Sequence, residues 1–429
     1  MFSQIIYLIN ILSIFELINW FIYLFNYINI LNPRFLYFKN KDTHKIIKRI
    51  DKLSNIEIEY LIKGSIVYDK INHNYVNSED IDITKLTIKE ITNVIGFTLF
   101  GIDIENITSS SKFILIQNLI KKIENILEIK FSVLEEDKYL YRRWGSNHIQ
   151  FNFRPLIMQI PIRIAINVIH YYMIFKLKFK YNSYDKNKVA FLYNINDPNK
   201  KTILFIHGFG FAYIPYIKIL LELHKHYNII IIILPNISSY TYYDELYQKY
   251  FPSINDLNDN IYSFLEKNNV KDLLLLSHSF GTYITQILRK DPRSSVFSKI
   301  IMVDPIIFWS GCFKMILYAE NPVYRKYPLY CNIFDNMINF LIYQCIYIKY
   351  VCHRVMYGPD FWIYSGTELE DTNIKLIFHK NDYVLNAELL YNKVKDNVKC
   401  YLFENEDATH GTILTDISYF DKLKDIIDS

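Results

Sequence analysis

The chain has 429 residues, room for one large domain and a smaller accessory region. Its net charge of +4 is too small to imply a nucleic-acid partner, and it has no basic stripe with interleaved aromatics. The five cysteines are odd in number and form no C-x-x-C pair, which implies reduced thiols and no zinc site.

The first element is an apolar run from Ile5 to Leu31 in which Glu16 is the only formal charge. A helix needs about 20 apolar residues to cross a bilayer, and Trp20 with the tyrosines suits its interface. With no basic leader and no small-residue cleavage site, residues 1–35 are expected to form an uncleaved transmembrane or membrane-anchor helix. Glu16, Asn10, Asn19, Asn26 and Asn29 leave a partly interfacial helix as the alternative. The basic cluster Arg34, Lys39, Lys41, Lys45, Lys48 and Arg49 follows, so the positive-inside rule puts the rest of the chain on the cytosolic side.

Residues 36–150 carry no chemical motif. Apolar spacing predicts helices over 86–99 and 111–127, the second capped within Ser109-Ser110-Ser111, and hence a mainly helical accessory region. Residues 151–180 hold a second apolar stretch, Leu156 to Phe175, interrupted by Pro161, Arg163 and His170. Arg163 makes a full span costly, so an amphipathic helix is expected, lying on the membrane or packed on the domain that follows. A two-span arrangement would carry that domain across the membrane.

From residue 181 the pattern changes to short, continuous apolar runs bounded by loop residues, which suit parallel strands covered on both faces. Thr202 to Ile206 ends in His207-Gly208-Phe209-Gly210, and Asn228 to Leu234 is nearly all isoleucine. Leu273 to Leu276 runs into Ser277-His278-Ser279-Phe280-Gly281, a sharp strand-to-helix turn with Ser279 at its tip. Lys299 to Val303 precedes Asp304-Pro305, Ile374 to Phe378 leads to Asn381-Asp382, and Val398 to Phe403 leads to His410-Gly411. Ser279 also suits a helix N-cap, Asp382 a turn, and Asp304 a strand-end cap or a rival acid.

Between Pro305 and Thr372 lies an insertion far longer than an ordinary loop, rich in Tyr, Phe, Ile and Trp. It holds Cys312, Cys331, Cys345 and Cys352, while Cys400 stands apart. His353-Arg354 would place a positive charge near a pocket mouth if they faced one.

From about Lys188 to the C-terminus these motifs, in this order, resemble the α/β-hydrolase superfamily. Its fold is a mostly parallel sheet flanked by helices, and it writes the Ser279 turn as G-x-S-x-G. Ser277 replaces the first glycine, and a serine rather than an aspartate at position 279 sets the chain apart from the dehalogenase and epoxide-hydrolase branch. More closely, the chain resembles membrane-associated, largely uncharacterised hydrolases of fungi and protists. That likeness rests on Phe153-Arg154-Pro155-Leu156, the His-Gly-Phe-Gly loop, the Ser279 turn, and Tyr347 to Trp362 with His353 and Arg354. The resemblance implies a hydrolase domain over 181–429 with a helical lid at about 306–372.

It also implies roles. Ser279 would be the nucleophile, His410 its base, and Asp382 the acid that orients His410. The amides of Phe209 and Phe280 would hold the oxyanion, with Gly208 letting the loop approach substrate. His207 and His278 would be structural. The expected activity is hydrolysis of a carboxylic ester or thioester with an apolar acyl group by a membrane-anchored enzyme, without metal or organic cofactor. Transfer of the acyl group to an alcohol by the same triad is one alternative. A membrane-tethered scaffold with impaired catalysis is another.

Overall fold

The five isoleucines of Asn228–Ile233 divide between two cores, Ile229, Ile231 and Ile233 facing one and Ile230 and Ile232 the other. Side chains alternate along a strand, so a run that is apolar at every position must be covered on both faces. In the computed structural model the described residues are 12–21, 53–72, 74–75, 81–100, 110–133, 138–141, 155–183, 189–234, 237–238, 254–308, 363, 366–370, 373–382 and 384–429.

Three short strands, β1 (Ile66–Asp69), β2 (Asn74–Tyr75) and β3 (Tyr139–Tyr141), form a small antiparallel sheet in the order β2-β1-β3. The main sheet has eight strands. They are β4 (Lys180–Ser183), β5 (Ala190–Asn194), β6 (Thr202–Ile206), β7 (Asn228–Ile233), β8 (Leu273–His278), β9 (Phe297–Val303), β10 (Ile374–His379) and β11 (Lys399–Phe403). Their order is β11-β10-β9-β8-β6-β7-β5-β4. The pairs from β11 to β7 are parallel, and β5 runs antiparallel to both its neighbours. The carboxyl ends of β6, β8, β9, β10 and β11 therefore lie at one edge, where open α/β sheets bind ligands.

Helices cover both faces. On one side α7 (Ile254–Lys267), α8 (Phe280–Arg289) and α9 (Ala387–Val394) bury Ile261, Phe264, Ile284, Leu288 and Leu390. On the other, α6 (Ile217–His226), α10 (Thr412–Thr415) and α11 (Phe420–Asp428) bury Leu220, Leu223, Leu414, Leu423 and Ile427. A Leu or Ile buried in this way contributes about 1.5–3 kcal/mol. The C-terminal carbonyls of α11 are taken by two strand lysines, Lys299 bonding Ile427 O at 2.6 Å and Lys375 bonding Ile426 O at 2.8 Å.

The accessory region contains α2 (Asn55–Ser65), α3 (Ile88–Phe100) and α4 (Ser110–Leu127), close to the helices expected at 86–99 and 111–127, together with the small sheet. Its strands of two to four residues are too short for periodicity to reveal. Glu57 closes a capping box with Ser54 and also pairs with Lys393 of α9, binding this region to the sheet domain.

Of the expected N-terminal helix only residues 12–21 are described, as the helix α1. Among the described residues no helix is long and apolar enough to cross a membrane. The second apolar stretch is α5 (Leu156–Tyr171), continued by a π turn over Tyr172–Lys176 that leads into β4. Ile166 and Met173 of this segment are buried, and Ile169 packs against the same core as α6 and α11. In the long insertion, 309–362 lies outside the described residues, and with it the lid segments, His353-Arg354, Trp362 and all cysteines except Cys400.

Candidate active site

Ser279 links β8 to α8 with φ 49° and ψ −119°, and its side chain makes no capping hydrogen bond. A positive φ at a non-glycine residue costs of order 1–3 kcal/mol and persists only where the surroundings impose it. They do so here: Ser279 N–H donates to Val303 O at 3.0 Å, and Thr282 Oγ1 donates to Ser279 O at 2.6 Å. The N-cap alternative therefore gives way to a strained turn that presents the serine at the sheet edge.

The small residue this turn needs is Gly281, where a Cβ would fall 2.3 Å from Ile206 O. Ser277 lies within β8, buried opposite Ile206 and Met302, with Oγ reaching Ile301 O at 3.5 Å. The departure from G-x-S-x-G thus falls where the strand holds a hydroxymethyl group.

The loop after β6 is fixed by its histidine. His207 Nδ1 donates to Gly208 O at 2.7 Å and Nε2 accepts Leu234 N–H at 3.3 Å, which sets the tautomer. Burial pushes its pKa down to about 4, so it is neutral. Gly208 touches the serine turn: a Cβ on it would stand 3.0 Å from Ser279 Cβ and from His278 Nδ1. The Phe209 and Phe280 rings meet with centroids 4.6 Å apart, bringing side by side the two residues expected to donate to an oxyanion. Tyr216, unremarked in the sequence, accepts Gly208 N–H at 3.3 Å and reaches His278 Nδ1 at 2.8 Å. His278 is held neutral by burial and by the neighbouring His410.

The His410 ring lies 4.8 Å from that of His278, and His410 Nδ1 lies 2.7 Å from Asp382 Oδ2. Asp382 is also a turn residue, since Oδ1 accepts Val384 N–H at 2.6 Å and Leu385 N–H at 3.0 Å. The two readings of this aspartate are the two oxygens of one carboxylate. Burial, reinforced by Asp304, raises its pKa against the pull of His410. For His410 burial acts downward, but Asp382 and then Asp304 outweigh it and raise its pKa.

Asp304 sits at φ 44° just past β9 and does not bond His410, whose Nδ1 is 4.0 Å away. It accepts from His379 Nδ1 at 2.8 Å and from Gly411 N–H at 2.6 Å. His379 Nε2 in turn accepts Ile413 N–H at 3.2 Å. Asp304 and His379 thus clamp the backbone on the C-terminal side of His410. Burial alone would raise the Asp304 pKa; the facing imidazoles of His379, His410 and His278 hold it below the ordinary value. Ligand atoms of His278, Asp304 and His410 lie within 4.8 Å of one another, as in a metal site. Each of the three is engaged elsewhere, Asp304 by His379 and Gly411, His410 by Asp382, and His278 by Tyr216 through Nδ1.

An eight-stranded sheet of this order, with a strained serine turn at its carboxyl edge, is the α/β-hydrolase fold. More particularly, residues 184–305 match the family model described as "Alpha/beta hydrolase of unknown function (DUF900)". No curated protein sequence matches the chain. Among solved structures, a membrane phospholipase A described as a novel bacterial virulence factor is 12% identical, with 63% of this chain and 93% of that one covered and a TM-score of 0.46. Naproxen esterase (carboxylesterase NP) from Bacillus subtilis is 10% identical, with 62% and 98% covered and a TM-score of 0.45. A carboxylesterase structure from Nitrososphaera gargenis is 14% identical, with 58% and 98% covered and a TM-score of 0.41.

Proposed function

We infer that the chain is a membrane-anchored serine hydrolase acting on a carboxylic ester or thioester with an apolar acyl part. The observation that carries this is the Ser279 turn, strained at φ 49° with its hydroxyl unused in capping, one residue from His278 in contact with the His410 ring. His410 takes the Ser279 proton as the hydroxyl attacks the carbonyl. Asp382 holds the imidazole by Nδ1 and stabilises the imidazolium. The amides of Phe209 and Phe280 receive the oxyanion, and each such donor is worth about 10²–10³ in rate. His410 then protonates the leaving group, and water completes the cycle through the same base.

The preference for an apolar acyl group rests on the aromatic composition of the 306–372 insertion, whose two ends meet at the carboxyl edge of the sheet. Ile363 N–H donates to Ile307 O at 2.7 Å there, and Phe308 pairs with Ile363. The membrane tether rests on the apolar Ile5–Leu31 segment, and the cytosolic side on the basic cluster after it. A fluorophosphonate probe tests the enzyme. Labelling of the full chain that disappears in Ser279→Ala supports it, and a folded chain that is never labelled rejects it. Rates on p-nitrophenyl esters of rising acyl length test the lid, and preference for the shortest would count against it. Protease protection in sealed membranes tests the cytosolic side.

A further inference from the structure

The helices α1 and α5 have their polarity turned inside out. The polar strip of α1 carries Glu16 and Asn19, three residues apart. Asn19 is buried, and both Glu16 carboxylate oxygens accept Leu156 N–H, at 2.9 and 3.2 Å. Leu156 opens α5, where the N-cap Pro155 supplies no side-chain bond. Glu16 thus satisfies an orphan N–H at the positive end of the α5 dipole. This accounts for the one formal charge in an otherwise apolar segment. Gln159, one turn into α5, is buried as well.

The outward surface is apolar. On α1, Leu12, Ile14, Phe15, Leu17, Ile18, Trp20 and Phe21 are all exposed. Successive residues of a helix turn by about 100°, so these side chains point to nearly every side of it. On α5 and its π turn, Ile157, Ile160, Ile164, Val168, Tyr171 and Phe175 form a stripe at helical spacing. Ile157 is 79% and Phe175 69% exposed, while Ile166 and Met173 on the opposite face are buried, Met173 in the core shared with α6 and α11. The stripe is about 27 Å long at 1.5 Å per residue. It ends in Lys176, Lys178 and Lys180, all exposed.

We propose that the outer stripe of α5 docks on an anionic bilayer beside α1, so that the hydrolase domain sits against the membrane and does not merely hang from the tether of which α1 is part. A protein partner covers one face of a helix, whereas apolar side chains pointing to nearly every side of α1 are satisfied together only by lipid tails. Polar groups facing inward between helices is the arrangement a hydrocarbon solvent favours. The three lysines complete the fit, since each basic residue near an anionic surface adds about 1 kcal/mol. The contact also reaches the active site: His170 Nδ1 on α5 meets Tyr213 Oη at 3.1 Å, just before the turn that carries Tyr216. The proposal shares the membrane location inferred above and is independent of the ester chemistry.

The test places the photocrosslinking residue p-benzoylphenylalanine at position 168 or 175 of the full chain, reconstituted in vesicles containing labelled phosphatidylglycerol. Crosslinking to lipid at both positions, weakened at least several-fold in Lys176→Glu/Lys178→Glu/Lys180→Glu or in phosphatidylcholine vesicles, is the expected result. Crosslinks to a second copy of the chain, to another part of the same chain, or to nothing would overturn it. Lipid crosslinking that ignored both the lysines and the headgroup would overturn the anionic preference. Fluorophosphonate labelling of the same samples reports the catalytic reading separately, because the stripe contains none of its residues.

Discussion

The Asp304 carboxylate accepts the backbone N–H of Gly411 at 2.6 Å, one residue past His410, while His410 Nδ1 meets Asp382 at 2.7 Å. Two buried carboxylates therefore serve one histidine, Asp382 through its ring and Asp304 through its backbone. Replacing the acid that orients a catalytic histidine costs about 10⁴-fold in rate. A small displacement of a catalytic group costs on the order of 10²-fold. Steady-state kinetics should therefore show the larger loss for Asp382→Asn and the smaller for Asp304→Asn. The reverse ranking would make Asp304 the acid.

The same pair sets a pH dependence. The base role proposed for His410 requires a neutral ring, and Asp382 followed by Asp304 outweighs burial and raises its pKa above the ordinary imidazole value near 6.5. Activity is thus lost as pH falls through that raised value, and the acid limb of kcat/KM lies above about 6.5. Among the groups facing it, Asp382 and Asp304 favour the imidazolium, and neutral His278 adds no charge. In Asp304→Asn the limb should move to lower pH. A limb that stays in place would confine Asp304 to its backbone contact.

Tyr216 gives a third expectation. Its hydroxyl stands between Gly208 N–H and His278 Nδ1, so Tyr216→Phe strands two buried polar groups beside the His207–Gly210 loop. Leaving a buried donor unpaired costs about 1–3 kcal/mol. We expect kcat/KM to fall by about tenfold, mainly through kcat, with secondary structure by circular dichroism unchanged. An unaltered kcat would separate Tyr216 from the loop's function.

A fourth concerns stability. Removing one partner of a buried ion pair costs about 3–5 kcal/mol, because the other charge is left in the interior. Lys393 and Glu57 are both nearly buried where the accessory region meets α9. Lys393→Ala should lower the stability measured by denaturant unfolding by about that amount, and Lys393→Met/Glu57→Gln should recover much of it. No recovery in the double variant would mean that packing, not charge, dominates there.

Much of this architecture was legible because its code is local. The runs at 202–206, 228–234, 299–303 and 374–378 became strands within one or two residues of their expected ends, since a strand covered on both faces shows its burial at every position. The order of Ser279, Asp382 and His410 was equally plain. What stayed hidden was set by tertiary contact. Nothing in the sequence marks His379, and only the adjacency of β9 and β10 brings it onto Asp304. Tyr216 is one of many tyrosines until α6 folds back over Gly208. Glu16 read as a flaw in an apolar helix, because its partner lies 140 residues away.

The pairing of Phe308 with Ile363 has a further consequence. Ile363 N–H meets Ile307 O just past the end of β9, so the two ends of the intervening segment are held together whatever its length. Doubling a flexible loop adds only about 0.6 kcal/mol of closure entropy. A segment closed at its base in this way can vary in length and composition without disturbing the Ser279 turn. If the insertion selects the substrate as proposed above, substrate range can change there while the Ser279 turn keeps its geometry.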